Sequence, residues 1–106
     1  MKDKATILIV DDELGPRESL NMVLKSFYNI CMVDSGVKAL DIINKGDIDL
    51  AILDLKMPGL QGIDTLREIK KERPEIDVII LTGYGTLKTA VDGIRYGASD
   101  YLMKPF

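Results

Sequence analysis

The stretch Asp49-Leu50-Ala51-Ile52-Leu53-Asp54 places a short apolar run directly before a carboxylate. A second apolar run, at 5–10, is followed in the same way by Asp11 and Asp12. If both runs are parallel strands of one sheet, their carboxyl ends bring three acidic side chains to one edge. Two carboxylates about 4 Å apart repel each other by roughly 4 kcal/mol at an effective dielectric constant near 20. The sequence therefore predicts a pocket that holds a cation or strongly perturbs a pKa.

Short apolar runs alternate with amphipathic segments along the whole chain. The predicted strands are 5–10, 29–33, 49–53, 76–82 and 100–103, and the predicted helices lie near 15–27, 36–45, 62–72 and 86–97. This alternation is typical of an α/β fold with a parallel sheet. Ile76 and Val78 to Leu81 form a nearly continuous apolar run, which is expected when both faces of a strand are covered. We expect a doubly wound, flavodoxin-like sheet of five parallel strands in the order 2-1-3-4-5.

The helices are predicted to pack through apolar rows at helical spacing. Ser35 is a candidate cap of the second helix, and Gly62 is expected only to open the third. Right-handed crossovers place the first helix on one face of the sheet and the other three on the opposite face. A further helix or a partner is then needed to cover strands 3 to 5, and we expect a fifth helix to be missing from this single domain of 106 residues. The predicted rows are Leu20, Val23, Leu24 and Phe27, then Val37, Leu40 and Ile43, then Ile63, Leu66 and Ile69, and finally Leu87, Ala90, Val91 and Ile94.

The composition excludes several kinds of chemistry. The chain has no histidine, which excludes Ser-His and Cys-His catalysis and the common zinc sites that need imidazole. Cys31 is the only cysteine, so an intrachain disulfide cannot form. A net charge of −3 without a basic stripe argues against direct nucleic-acid binding by this segment. No apolar stretch approaches the length of a membrane span, so we expect no membrane partner and a cytoplasmic location.

Polar residues at four predicted strand ends converge on one rim of the sheet. Strand 1 ends in Asp11 and Asp12, strand 3 in Asp54, strand 4 in Thr82 and Gly83, and strand 5 in Lys104. Carboxylates suit Mg²⁺, which prefers oxygen ligands. Asp54 is the most central carboxylate and a candidate nucleophile toward phosphorus, whereas the hydroxyl of Thr82 and the ammonium of Lys104 suit phosphoryl oxygens. The pattern predicts Mg²⁺-assisted phosphoryl transfer to an aspartate.

The same motifs resemble the receiver domain of two-component response regulators. The resemblance spans 1–106 and rests on Ile7–Glu13, Asp54–Gly59, Thr82-Gly83 and Gly97–Phe106, in that order. It implies a phosphorylation-controlled signalling switch in which Asp54 accepts a phosphoryl group from a sensor histidine kinase. It also implies that the chain is no enzyme beyond catalysing its own phosphorylation and dephosphorylation. The switch would control an output domain, expected to be transcriptional, or another downstream effector.

Carried over by position, the resemblance assigns a role to each site residue. The stretch 84–106 looks most similar to receivers of the nitrogen-regulation (NtrC-like) type. Whether the chain forms a homodimer is left undecided, because many receivers dimerise through the fifth helix, which we expect to be missing here. The Mg²⁺ ligands would be Asp11, Asp12, Asp54 and the backbone carbonyl of Lys56, the phosphate-binding residues Thr82, Gly83 and Lys104, and the aromatic switch Tyr101.

Other interpretations fit part of this pattern. A Mg²⁺-dependent phosphatase of the haloacid-dehalogenase kind also uses an aspartyl nucleophile, but it needs a second aspartate two positions later, where this chain has Lys56. A receiver-like interaction module that is never phosphorylated typically lacks an acidic residue, the hydroxyl or the lysine, and all are present here. Taken alone, Asp11-Asp12 would be a solvated turn or helix start, with Glu13 complementing the helix dipole.

Overall fold

Strands and helices alternate along the chain in the computed structural model, which describes residues 4–55, 62–82 and 87–103. Every predicted element is found, with boundaries that shift by a few residues at most. Within these ranges, no helix has both the length and the apolar character that crossing a bilayer requires. The elements are β1 (Thr6–Val10), α1 (Leu14–Leu24), β2 (Asn29–Val33), α2 (Gly36–Lys45), β3 (Leu50–Asp54), α3 (Gly62–Glu72), β4 (Asp77–Thr82), α4 (Leu87–Arg95) and β5 (Asp100–Met103).

The strands form one parallel sheet in the order β2-β1-β3-β4-β5, which confirms the predicted flavodoxin-like topology. Val10 of β1 pairs with Leu53 of β3, and Leu53 pairs in turn with Ile80 of β4. The carboxyl ends of these three strands therefore lie at the same edge of the sheet. All three pairing residues are fully buried, as expected for central strands covered on both faces.

Apolar side chains pack on both faces of the sheet. On one face, Ile43 of α2 and Leu66 of α3 belong to a large core that also contains Ile80. On the other face, Leu20 of α1 packs in a smaller core with Ile52. The two cores separate α1 from α2 and α3, in agreement with the expected right-handed crossovers.

The helix α4 approaches the sheet through a glycine. A Cβ atom on Gly93 would clash with Cδ1 of Ile80, so the helix backbone lies directly against the side chain of Ile80 in β4. Since Ile80 belongs to the large core, α4 lies on the same face as α2 and α3, and α1 is the only described helix on the other face. Val91 and Ile94, predicted to pack inward, are half-exposed because Gly93 faces the sheet instead.

The predicted apolar row of α1 is wrong at two positions. Val23 and Phe27 are 67% and 69% exposed. The helix ends at Leu24, whose carbonyl accepts a hydrogen bond from the N–H of Phe27 at 3.0 Å, so Phe27 lies in the turn that follows. Leu20 and Leu24, four residues apart, form the row that faces the sheet, and this rotation turns Val23 outward.

The predicted start of α2 is confirmed, but one residue of its apolar row is exposed. Ser35 caps the helix, since its Oγ accepts a hydrogen bond from the N–H of Lys38 at 3.2 Å. The expected burial of Val37 is wrong, because this side chain is 66% exposed. Ala39 and Ile43, again four residues apart, face the large core.

Candidate functional site

Acidic residues stand at the carboxyl ends of two neighbouring strands, β1 and β3. Asp11 follows the last residue of β1, and Asp54 is itself the last residue of β3. Because Val10 pairs with Leu53, the two carboxylates come to the same edge of the sheet. Asp54 also pairs with Leu81 of β4, so the sheet rather than a loop positions its backbone.

Four carboxylates meet at this edge: Asp11, Asp12, Glu13 and Asp54, which we call the acidic cluster. Each offers one oxygen atom, and these atoms all lie within 4.8 Å of one another. The structure thus brings Asp11, Asp12 and Asp54 together as the sequence predicts. Glu13 is an addition that sequence reasoning missed, because the sequence predicts no ligand role for it. Its position directly after two candidate ligands was the available signal.

Burial divides the acidic cluster into two halves. Asp11 is fully buried and Asp54 is 2% exposed, whereas Asp12 and Glu13 are exposed. A solvated helix start would leave Asp11 in water, so that simpler interpretation is wrong for Asp11. At about 4 Å, each pair of charged carboxylates repels by roughly 4 kcal/mol at an effective dielectric constant near 20. The arrangement is therefore chemically suited to a hard cation.

Asp11 is held through its backbone and its side chain. Its N–H donates to the carbonyl of Val33 in β2 at 3.2 Å. Its Oδ1 accepts a hydrogen bond from the N–H of Glu13 at 2.9 Å, and Glu13 is the N-cap residue of α1. The chain turns around the Asp11 carboxylate as it enters α1, which keeps three members of the acidic cluster on one turn.

Backbone contacts also hold the chain directly after Asp54. The N–H of Leu55 donates to the carbonyl of Leu81 at 3.2 Å, and the carbonyl of Leu55 accepts from the N–H of Gly62 at 3.2 Å. A Cβ atom on Gly62 would overlap the Cα of Leu55. Gly62 therefore does more than open α3, because its missing side chain lets the helix pack against the strand end beside Asp54.

The other predicted site residues are described in part. Thr82 is the last residue of β4, one step beyond the Leu81 partner of Asp54, so its backbone reaches the same edge. Tyr101 lies in β5 opposite Ile80 and is 38% exposed. The structure thus brings the predicted carboxylates together, whereas the predicted phosphate-binding role of Thr82, Gly83 and Lys104 stays a prediction. Three predicted residues lie outside the described residues: Lys56, Gly83 and Lys104.

The topology and the position of the acidic cluster define the doubly wound class that includes flavodoxin and CheY. The family model described as the response regulator receiver domain matches residues 7–106. The chain therefore belongs to the response regulator receiver family. It is a receiver domain of a two-component system, a regulatory switch rather than an ordinary enzyme.

Two curated relatives show how the chain compares with longer and shorter proteins. The chain is 39% identical over 104 residues to the transcriptional regulatory protein ZraR of Escherichia coli (strain K12). This alignment covers 97% of the chain and 24% of ZraR. The chain is 43% identical over 101 residues to the sporulation initiation phosphotransferase F of Bacillus subtilis (strain 168), covering 94% of this chain and 82% of that protein. The chain thus spans about a quarter of the length of ZraR.

Solved structures agree with this assignment. The receiver domain of NtrX from Brucella abortus superimposes with a TM-score of 0.89 at 38% identity, covering 94% of this chain and 86% of that domain. Similarity to both NtrX and ZraR supports the nitrogen-regulation (NtrC-like) type.

Proposed function

We propose that this receiver domain is switched by phosphorylation of Asp54 in the presence of Mg²⁺. An oxygen of the Asp54 carboxylate forms a bond to the phosphorus of a phosphohistidine in a sensor histidine kinase. The phosphorus–nitrogen bond breaks, and its electron pair stays on the kinase imidazole, which takes up a proton. The donor histidine belongs to another protein, since this chain has none. The observation that carries the proposal is the position of the buried Asp54 within the acidic cluster.

The donor chemistry of the acidic cluster fits Mg²⁺. All four members offer carboxylate oxygens, the ligands that this ion prefers. These oxygens lie within 4.8 Å of one another, so one ion could contact several of them, and waters would complete its coordination. We assign Asp11, Asp12, Asp54 and the backbone carbonyl of Lys56 to the ion, with Glu13 beside them. When bound, Mg²⁺ supplies positive charge that offsets the charge on the phosphoryl oxygens.

The support around Asp54 suits a nucleophile. Its backbone is paired with Leu81, and the next residue, Leu55, is hydrogen-bonded to both β4 and α3. A nucleophile on a rigid strand loses little further freedom when it aligns with the phosphorus atom.

The proposed switch runs from the phosphate to the surface of α4 and β5. The added charge and acceptor oxygens on Asp54 would attract the hydroxyl of Thr82 and the ammonium of Lys104, with Gly83 completing the phosphate site. Tyr101 is partly exposed on the face of the sheet that carries α4. It would turn inward into the space that Thr82 vacates. This local change in contacts biases a two-state element.

The proposed partners are a sensor histidine kinase as phosphoryl donor and an output domain or downstream effector as recipient of the signal. ZraR is a transcriptional regulatory protein of which this chain spans 24%, so we include transcription regulation through a further domain. A homodimer and a cytoplasmic location are also part of the proposal. The net charge of −3 argues that this segment does not itself grip nucleic acid.

Intact-mass measurement after incubation with Mg²⁺ and acetyl phosphate tests the proposal. We expect one added phosphoryl group, which is absent in EDTA and in Asp54→Asn. Asp41→Asn is the matched control, since Asp41 is a 60% exposed carboxylate on α2, and it should be phosphorylated like the wild type. A folded wild-type chain without an adduct points to an interaction module that is not phosphorylated. An adduct that persists in Asp54→Asn contradicts the assigned acceptor, and turnover of a generic phosphate ester favours an aspartyl phosphatase.

A further inference from the structure

Arg17 is a half-buried cation in the first turn of α1, next to the acidic cluster. The positive end of the helix dipole lies in this turn, which therefore disfavours a cation. The guanidinium nevertheless reaches back past the start of the helix, and its Nη1 donates to the backbone carbonyl of Asp11 at 3.0 Å. This contact offsets the unfavourable placement of Arg17 and connects α1 to the end of β1.

The carbonyl that Arg17 binds belongs to the peptide group joining Asp11 to Asp12. Because a peptide group is planar, holding its oxygen also sets the direction in which the chain leaves toward Asp12. The N–H of Asp11 is bound to Val33, and its Oδ1 is bound to the N–H of Glu13. Of these three contacts, only the one from Arg17 is donated by a side chain, so a substitution removes it without altering the backbone donors.

Arg17 also lies near the negative charge of Asp34. Arg17 lines an open cavity of about 280 Å³ together with Leu14, Asp34 and Lys38. Lys38 is paired with Asp34 at 2.9 Å. Its hydrogen bond and charge lower the pKa of Asp34, and the charge of Arg17 adds a smaller effect in the same direction. Arg17 therefore lies between a carboxylate at the end of β2 and a carbonyl at the end of β1.

We propose that Arg17 is a positioning residue for the divalent-cation site, which holds the Asp11–Asp12 peptide in the binding orientation before the cation arrives. This inference rests on the proposed function, since it requires that the acidic cluster binds Mg²⁺. Arg17 has two opposite effects on that binding. Its hydrogen bond strengthens binding by fixing the ligands, whereas its positive charge weakens binding by repelling the ion. Positioning requires that the first effect is the larger.

The test is the Mg²⁺ dissociation constant of the whole chain, measured by calorimetric titration with MgCl₂. Arg17→Met removes the donors and the charge at similar length, and we expect it to weaken Mg²⁺ binding roughly tenfold or more, as for other partners of metal ligands. Arg17→Lys keeps the charge and one donor group, so it should recover part of this loss. Lys38→Met is the matched control, because it removes a neighbouring cation that pairs with Asp34. It should bind Mg²⁺ at least as tightly as the wild type.

The outcomes separate positioning from a counter-charge role and from a failure of the proposed function. A folded Arg17→Met chain that binds Mg²⁺ as tightly as the wild type, or more tightly, overturns the inference, because the hydrogen bond then does not outweigh the repulsion of the ion by Arg17. If Arg17→Met does not fold, the shorter and uncharged Arg17→Gln decides, and Mg²⁺ affinity equal to or above that of the wild type in that variant overturns the inference. A wild-type chain that binds no Mg²⁺ overturns the proposed function together with this inference.

Discussion

Gly62 and Leu55 are in direct backbone contact, with a hydrogen bond of 3.2 Å from the Gly62 N–H to the Leu55 carbonyl and no space for a side chain between them. The contact holds the first turn of α3 against the chain directly after Asp54. A methyl group at Gly62 must push the helix away from the end of β3, because backbone atoms cannot rotate aside as a flexible side chain does.

Gly62→Ala is therefore expected to lower the free energy of unfolding by about 3 kcal/mol, the upper part of the range for overpacking. Gly15→Ala in α1 is the matched control, since nothing lies within 4 Å of its added Cβ. The control should raise the free energy of unfolding by about 0.5 kcal/mol through the entropy of the unfolded chain. Urea unfolding measures both values. Equal stability of Gly62→Ala and the wild type would show that the helix start and the strand end are not in contact.

The repulsion within the acidic cluster is testable through stability with and without Mg²⁺. In EDTA, Asp12→Asn should raise the free energy of unfolding by about 1 kcal/mol, since it removes one exposed charge from a group of like charges. In Mg²⁺, the same variant should gain less stability from the ion than the wild type does, because a ligand is lost. Thermal unfolding in both buffers gives the comparison. If Asp12→Asn is less stable than the wild type in EDTA, the expected repulsion is contradicted.

The carboxylate of Asp34 should stabilise the fold at neutral pH and lose this effect in strong acid. The hydrogen bond and charge of Lys38 hold the pKa of Asp34 below its usual value of 3.8. A carboxyl group whose pKa is lower in the folded chain stabilises the fold above the unfolded pKa, and this stabilisation is lost as the pH falls through the folded pKa. Asp34→Asn should thus be slightly less stable than the wild type at neutral pH and converge with it below pH 3.8. Urea unfolding across this range measures the effect, and a gap that widens in acid has the wrong sign.

Arg73 connects the end of α2 to the loop before β4. Its Nη2 donates to the carbonyls of Ile43 and Gly46 at 3.2 and 3.3 Å. The last carbonyls of a helix lack helical partners and lie at the negative end of its dipole. Arg73→Met should lower the free energy of unfolding by about 2 kcal/mol, the range for hydrogen bonds with charged groups. Arg73→Lys should recover part of the lost free energy of unfolding. Chemical denaturation of the three chains measures this, and an unchanged midpoint in Arg73→Met would rule out the bridge.

The sheet was predictable because its central strands are buried on both faces and appear in the sequence as continuous apolar runs. Strict alternation with helices and right-handed crossovers then leaves few topologies. The helix faces were less predictable. Val23 and Val37 are apolar yet exposed. In each helix a different pair of residues packs on the sheet and sets the rotation of the helix, namely Leu20 and Leu24 in α1 and Ala39 and Ile43 in α2. Apolar character alone does not select that pair in a helix with apolar residues on several sides.

The site was predictable as far as it depends on strand ends, which is true of Asp11 and Asp54. Glu13 and Arg17 depend instead on the path of the chain from β1 into α1, which no spacing rule specifies. The packing role of Gly62 depends on a close approach between two backbones, and the sequence shows only a glycine.

Borohydride reduction followed by peptide mass spectrometry locates the phosphoryl group most directly. Reduction of an aspartyl phosphate converts that side chain into homoserine, and unmodified aspartate is not reduced. After treatment with acetyl phosphate and Mg²⁺, we predict homoserine in place of Asp54 and nowhere else, and none when Mg²⁺ is replaced by EDTA. Homoserine in place of Asp11 or Asp12, or none at all in a folded chain, would contradict the assignment of Asp54 as the phosphoryl acceptor.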